Sequence, residues 1–390
     1  MKIAVVAGPD PGHAFPAIAL CLKFLAAGDT ATLLTGRQWL DTARTAGVDA
    51  VLLEGLDLEV GDDDDDAGAK IHQRAARMAV LNVPVMRALA VDLVCSDVIT
   101  VCGAMTAELL GLPWIEVVPH PLYLPSKGLP PLGSGLAPGV GLRGRARDAV
   151  LRALTARSIR AGDRDRAAAR LGIGLPGPDP GPLRRLVATL PALEVPRPDW
   201  PAEAVVVGPL HFEPTEAELT PPPGPGPLVV VAPSTASTGT TGLAELALTA
   251  LGPGRGLPDG LRVAVSRLAG AEVEAPDWAV VGLGRQDELL AKADVLVCGG
   301  GHGIVAKSLL HGVPLVTVPG GGDQWEIANR VVRQGSGRLI RPLTAEALTA
   351  EVGAVLADPG YRTAAGRAAA GAGGVGDPVR VCHDAVAATR

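Results

Sequence analysis

Short, unbroken apolar runs that give way to glycine and then to helical stretches occur in two separate sets along this chain, and that repetition fixes its fold class. The first set has runs at 3–7, 31–34, 93–95 and 114–118, with helical composition at 15–27 and 106–110 ending near Gly28 and Gly111. The second has runs at 228–232, 261–266, 278–281, 295–298 and 315–318, alternating with helical stretches at 243–251, 286–292, 305–311 and 324–334. Continuous rather than alternating apolar runs mark strands buried on both faces, which parallel sheets require. Strand and helix in alternation predict a doubly wound α/β arrangement in each half. Between the sets lies 213–227, which contains Pro221-Pro222-Pro223-Gly224-Pro225-Gly226-Pro227. Such a run continues neither a helix nor an interior strand, so it reads as the linker between two Rossmann-like halves. The predicted division is 1–212, a linker at 213–227, 228–375, and a terminal segment at 376–390.

Composition narrows the function. A chain of 390 residues, 47% hydrophobic, is long enough for two cores, and 50 glycines with 35 prolines imply many loops. The net charge of −6 disfavours a nucleic-acid partner. No run approaches the ~18 apolar residues of a membrane span, and Gly8-Pro9-Asp10 cuts the first run too short for a secretory signal. The expectation is a cytoplasmic protein without membrane insertion. Five scattered cysteines lack CxxC spacing, so neither a disulfide framework nor a zinc site follows. Asp62 to Asp66 form a carboxylate run that reads as a solvated loop, with a metal-binding DxD as the weaker alternative. Residues 143–170 carry nine arginines against three aspartates, either a solvated helix pair or a surface for an anionic acceptor or lipid headgroups.

Four constellations could carry chemistry. After the first run comes Gly8-Pro9-Asp10-Pro11-Gly12-His13, without the GxGxxG spacing of a dinucleotide site, so NAD and FAD are disfavoured. It does place His13 where open α/β sheets hold ligands, as a candidate general base or else a packed residue. Asp97 ends another run of the same half; it either orients that imidazole or caps a helix. In the second half, Cys298-Gly299-Gly300-Gly301-His302-Gly303 runs from strand into helix, where exposed N–H groups and the helix dipole favour a phosphate. No GK[ST] follows, so this is not a P-loop. Last, Gly320-Gly321-Gly322-Asp323-Gln324 offers donors and acceptors suited to sugar hydroxyls, with Asp323 equally able to begin a helix.

In this order and spacing, the constellations resemble those of the GT-B glycosyltransferases, above all the bacterial enzymes that decorate macrolides and other natural products. The most specific stretch is 294–324, with Gly312-Val313-Pro314 between the glycine turn and Asp323-Gln324. The resemblance implies two Rossmann-like domains with parallel sheets facing a central cleft, and metal-independent, inverting transfer of a hexosyl group from a nucleoside-diphosphate sugar. No other cofactor is implied; the donor would be a dTDP- or UDP-sugar. His13 would be the base and Asp97 its partner. Asp323 and Gln324 would hold the donor sugar, Gln286 would lie near the base, and Ser234 near the diphosphate with Gly300, Gly301, His302 and Gly303. Acceptor contacts would come from loops at 118–139, including Tyr123 and Leu124, and the segment after Pro378 would cross back onto the first domain. Four positions depart from the pattern: Gly299 replaces a histidine, Ile304 a threonine, Lys307 a ribose-gripping glutamate and Leu283 a tryptophan. His302 is the candidate substitute for the missing histidine, and Lys307 suits a thymidine-diphosphate donor lacking the 2′-hydroxyl. The expected partners are the nucleotide sugar and a small, hydrophobic acceptor, with a homodimer left open. A lipid-linked acceptor and a non-catalytic auxiliary role are the alternatives.

Overall fold

The computed structural model describes residues 1–57, 69–236, 238–268 and 275–389; Asp62 to Asp66 lie outside them. The first sheet comprises β1 (Lys2–Val6), β2 (Thr30–Thr35), β3 (Asp49–Leu52), β4 (Leu93–Asp97), β5 (Trp114–Val118), β6 (Arg185–Val187) and β7 (Ala204–Val206). Its order is β3-β2-β1-β4-β5-β6-β7 and every pairing is parallel. Helices α1 (Pro11–Ala26), α2 (Arg37–Thr45), α3 (Ala69–Leu89), α4 (Cys102–Leu110) and α5 (Gly141–Gly172) connect the strands. The second sheet holds β8 (Leu228–Ala232), β9 (Arg262–Ser266), β10 (Ala279–Gly282), β11 (Val295–Cys298), β12 (Leu315–Thr317) and β13 (Gly337–Leu339), ordered β10-β9-β8-β11-β12-β13 and again wholly parallel. With it run α6 (Leu243–Ala250), α7 (Gln286–Leu290), α8 (His302–Leu310), α9 (Gln324–Gln334), α10 (Ala345–Ala357), α11 (Pro359–Ala370) and α12 (Pro378–Ala387).

Both sheets are buried on two faces, which explains the unbroken apolar runs. Ile3, Val5, Leu33, Leu93 and Cys95 meet α1 on one side of the first sheet, while Ala4, Val6, Leu34 and Val94 meet α3 and α4 on the other. Val229 and Val231 face α6 and α10; Val230 and Leu296 face α8 and α11. In each sheet the chain reverses its winding beside the first strand, between β1 and β4 and between β8 and β11. Crevices outside the strand ends at such points are where ligands bind in this architecture.

Three helices, α1, α4 and α8, start three or four residues earlier than their composition suggests, α4 at Cys102 where 106 is expected. Proline at the first position lets α1 begin at Pro11, because its fixed φ suits a helix and its absent N–H is not missed. His13 therefore sits in the first turn of a helix instead of in the preceding loop. Similarly α8 begins at His302, so Gly303 is helical and Gly301 is the last extended residue.

The halves are stitched together away from the linker. Helix α12 returns to the first half, burying Val379, Cys382, Ala385 and Val386 against α1. In the opposite direction, Leu190 and Leu193, between β6 and β7, pack into the core of the second half. Gly135 donates its N–H to Glu326 (2.8 Å) and accepts from Arg333 (2.7 Å), holding the loop before α5 against α9.

Candidate active site

The carboxyl ends of β1 and β4 bring His13 and Asp97 together. His13 Nδ1–H donates to Asp97 Oδ1 at 2.7 Å, which leaves Nε2 as the unprotonated ring nitrogen. Asp97 is 3% exposed, and its other oxygen accepts from Thr100 Oγ1 (2.9 Å), Thr100 N (3.1 Å) and Ile99 N (3.2 Å). The carboxylate is thus fixed before any substrate arrives. It serves as a cap to the turn before α4 and as the imidazole's partner at once. Burial pulls the His13 pKa down, yet the Asp97 hydrogen bond and the charges of Asp97, Asp10 and Asp323 outweigh it and raise the net value.

Asp323 belongs to the other half, and it lines the same cavity as His13, so the two sheets face one cavity. That cavity, about 420 Å³, is lined by His13, Phe15 and His120 from the first half and by Ser234, Gln286, Gly301, His302, Gly303, Asp323 and Gln324 from the second. Asp323 immediately precedes α9 and makes no capping bond with its side chain, which leaves the carboxylate available to a ligand. Gln324 is more constrained. Its Oε1 accepts from Gly320 N (2.9 Å) and its Nε2 donates to Ser234 Oγ (2.9 Å), so both ends of the amide tie loops of the second half together. Ser234 Oγ also accepts from Ala236 N (3.2 Å); its own hydrogen is not used in either bond. Gln286 lies at the start of α7 with Nε2 3.5 Å from Ser266 Oγ.

The glycine turn divides by task. Gly300 has φ +82°, and a Cβ there would approach the Gln324 carbonyl at 3.3 Å, so it shapes the turn rather than lining the cavity. Gly301 and Gly303 line it, with open space where a Cβ would stand. The first-turn N–H groups of α8 have no partner within their own helix.

His302 does not serve as a substitute cation. It is 8% exposed, its Nε2 pairs with Thr189 Oγ1 at 2.9 Å, and burial holds its pKa well below the usual range despite the adjacent Pro119 carbonyl. It is a neutral ring at the seam between halves. Lys307 is likewise engaged: Nζ donates to Glu213 Oε1 at 2.6 Å, with the two side chains 6% and 11% exposed. Glu213 also accepts from the N–H groups of Gln286 (3.2 Å) and Asp287 (3.1 Å), capping α7 from the linker. Tyr123 and Leu124 do not line the cavity. Tyr123 stacks behind His120 (centroids 4.6 Å apart), and Leu124 packs with Leu122 and Val187.

Three wall residues, and the Thr189 partner of His302, escaped the sequence reading. His120 follows β5 as His13 follows β1, so strand-end position was an available signal. His211, held neutral at a pKa of about 4 by burial, and Glu213 lie in a stretch whose proline content conceals its contacts. Thr189 carried no signal. Among the described residues no group of three His, Cys, Asp or Glu side chains could hold a metal, and no helix is long and apolar enough to cross a membrane.

Residues 278–388 match the family of erythromycin biosynthesis protein CIII-like C-terminal domains. Over 94% of both chains the sequence is 28% identical to 4'-demethylrebeccamycin synthase of Lentzea aerocolonigenes. The chain is a glycosyltransferase of the natural-product type. The fold agrees: the glycotransferase of kitacinnamycin superposes with a TM-score of 0.74 at 23% identity, covering 99% of each chain. A Streptomyces sp. SF2575 glycosyltransferase complexed with thymidine diphosphate gives 0.65 at 20% identity, over 98% of this chain and 99% of that one. The two-domain GT-B arrangement of this glycosyltransferase follows from these matches.

Proposed function

We propose that the glycosyltransferase moves a hexosyl group, with inversion, from a nucleoside-diphosphate sugar to a hydroxyl of a small hydrophobic acceptor. The observation that carries this reading is the single cavity in which an Asp97-oriented imidazole faces Asp323 and the first turn of α8. His13 Nε2 removes the acceptor's hydroxyl proton as that oxygen bonds to the anomeric carbon. The bond from carbon to phosphate oxygen breaks on the opposite face, and its electron pair leaves with the nucleoside diphosphate. Asp97 stabilises the imidazolium. The leaving charge is met by α8's amide hydrogens and dipole and by the Ser234 hydroxyl, preorganised donors of the kind that dominate such steps. Neither His302 nor Lys307 is assigned a share, the first being neutral and the second paired with Glu213.

Two of the chain's three phenylalanines, Phe15 and Phe212, line the cavity, which supports an apolar acceptor. Asp323 is assigned to the sugar hydroxyls and Gln324 to holding Ser234 in place. Thymidine diphosphate bound to the Streptomyces enzyme supports that class of donor here. His13→Ala should remove about 10²–10⁴-fold of the transfer rate while calorimetry shows nucleoside-diphosphate binding unchanged. Undiminished turnover would overturn the proposal, as would a product anomer matching that of the donor.

A membrane-associated acceptor is the second reading, favoured by α5, where Leu142 (87% exposed) and Leu154 (72%) stand beside several arginines. Flotation with anionic liposomes that is lost on replacing Arg157 and Arg160 would support it.

A further inference from the structure

His120 faces the same cavity as His13 and has no part in the reaction just described. Its ring meets that of His13 at 80°, with centroids 6.2 Å apart, and its other neighbour is Tyr123, stacked at 4.6 Å and 23°. Nδ1 lies 2.8 Å from the Pro121 carbonyl. A carbonyl oxygen only accepts, so the proton is on Nδ1 and the neutral ring carries its lone pair on Nε2. Burial pushes its pKa down despite that carbonyl and the charges of Asp323 and Asp97, and so favours the neutral form. Tyr123 is in turn held beneath the Arg330 guanidinium at 5.4 Å, which fixes the plane of the stack.

Once His13 is in its unprotonated, reactive form, two imidazoles present bare Nε2 atoms on the first-half wall, each with its tautomer set by a partner behind it. Asp97 sets one and Pro121 the other. A ligand that satisfies both must carry two hydrogen-bond donors close together. We propose that His120 is a specificity-determining positioning residue: its Nε2 accepts a hydrogen bond from a second O–H or N–H that neighbours the reacting hydroxyl on the acceptor. The class of acceptor is then an apolar ring system bearing paired donors, such as a vicinal dihydroxy arene, and the group held by His120 is the one left unglycosylated. The inference rests on the transfer reading above. It adds that a lone hydroxyl leaves the His120 lone pair unmatched in a water-poor wall, and that such a mismatch discriminates more strongly than shape alone.

The test pairs 2,3-dihydroxynaphthalene with 3-methoxy-2-naphthol, using dTDP-glucose as donor. The unmodified protein should favour the diol by about tenfold in kcat/KM, the worth of one hydrogen bond, with the difference mostly in KM. His120→Phe should bring the ratio close to one, and His120→Gln, which retains an acceptor oxygen, should restore part of it. Equal use of both acceptors by the unmodified protein, or an unchanged ratio in His120→Phe, would overturn the inference while leaving the transfer reading intact. Nitrogen-15 spectra of the histidine rings give a check that needs no turnover. A His120 ring protonated at Nε2 rather than Nδ1 would overturn the inference whatever the activity. Transfer to neither naphthol would overturn the transfer reading and this inference with it.

Discussion

Asp97 contacts His13 with one carboxylate oxygen, at 2.7 Å, and spends the other entirely on the backbone and hydroxyl of its own turn. The partner that orients the base is therefore itself immobile, and replacing it should act on both rate and pH dependence. Its hydrogen bond and charge help keep the His13 pKa raised against the pull of burial. A base works only when unprotonated, so activity should climb as pH rises through that value. Asp97→Asn should lower the His13 pKa and move the acidic limb of the kcat/KM profile to lower pH. The plateau should drop within the ~10²–10⁴ range of base catalysis, because the wrong tautomer is now allowed. Stability runs the other way. A histidine with a raised folded pKa adds stability below its unfolded pKa, and that contribution fades as pH rises through the folded value. Thermal melts should show Asp97→Asn most destabilised, relative to the unmodified protein, in mild acid.

Gly300 and Gly301 are adjacent, yet their substitution should separate folding from donor binding. Alanine at Gly300 must adopt φ +82° and approach the Gln324 carbonyl, at a cost of about 1–2 kcal/mol. Denaturant titration should register that loss. Gly301 has ordinary extended geometry and open space around a Cβ, so Gly301→Ala should change stability by less than about 0.5 kcal/mol. Its methyl would project where the diphosphate approaches, and the donor KM should rise several-fold.

Much of this arrangement was readable in the sequence because parallel strands have no polar face to hide. The runs at 228–232 and 295–298 fall on β8 and β11, and the turns after them supply Ser234 and Gly301. His13 and Asp97 could be placed at strand ends, though their 2.7 Å contact depends on the β1–β4 neighbourhood, which strand order alone determines. The last two strands of the first sheet, β6 and β7, three residues each, were too short to show a period. Side-chain roles were least legible where an unseen partner decides them. His302 reads as a cation until Thr189 and the seam bury it; Lys307 reads as a free charge until Glu213, 94 residues away, neutralises it. Tyr123 was placed on the wall when it is His120, three residues earlier, that lines it.

The end of the chain offers a pH-dependent test of domain stitching. His383 on α12 lies 2.7 Å from Asp29 Oδ2, and the amino terminus donates to Asp29 Oδ1 at 2.6 Å. Burial raises the Asp29 pKa, but the two hydrogen bonds and positive charges outweigh it and leave the carboxyl below its usual value. A depressed carboxyl contributes stability above its unfolded pKa and loses it as pH falls through the folded one. His383→Ala should cost roughly 0.5–1 kcal/mol near neutrality, kept small because the ring is 41% exposed. The deficit should shrink in acid sufficient to protonate Asp29. A deficit that is absent, or unchanged from neutrality down to that acid, would mean that α12 is held by its apolar face alone.

The Lys307–Glu213 pair couples the linker to the donor wall and should reveal itself in a double-mutant cycle. Both side chains are largely buried, so removing one leaves the other charged and desolvated. Glu213→Ala should therefore cost about 3–5 kcal/mol, increased by loss of the cap on Gln286 and Asp287. Lys307→Met retains that cap and replaces the stem with apolar volume, so it should be milder. If the attraction is direct, Glu213→Ala combined with Lys307→Met should be clearly less destabilised than the sum of the single changes. Donor KM offers an independent reading, because Gln286 is positioned by the same carboxylate. It should rise more for Glu213→Ala than for Lys307→Met, since the first releases the start of α7 and the second leaves it capped. Equal effects on KM would indicate that the ammonium itself touches the donor, against the assignment that its charge is already spent on Glu213.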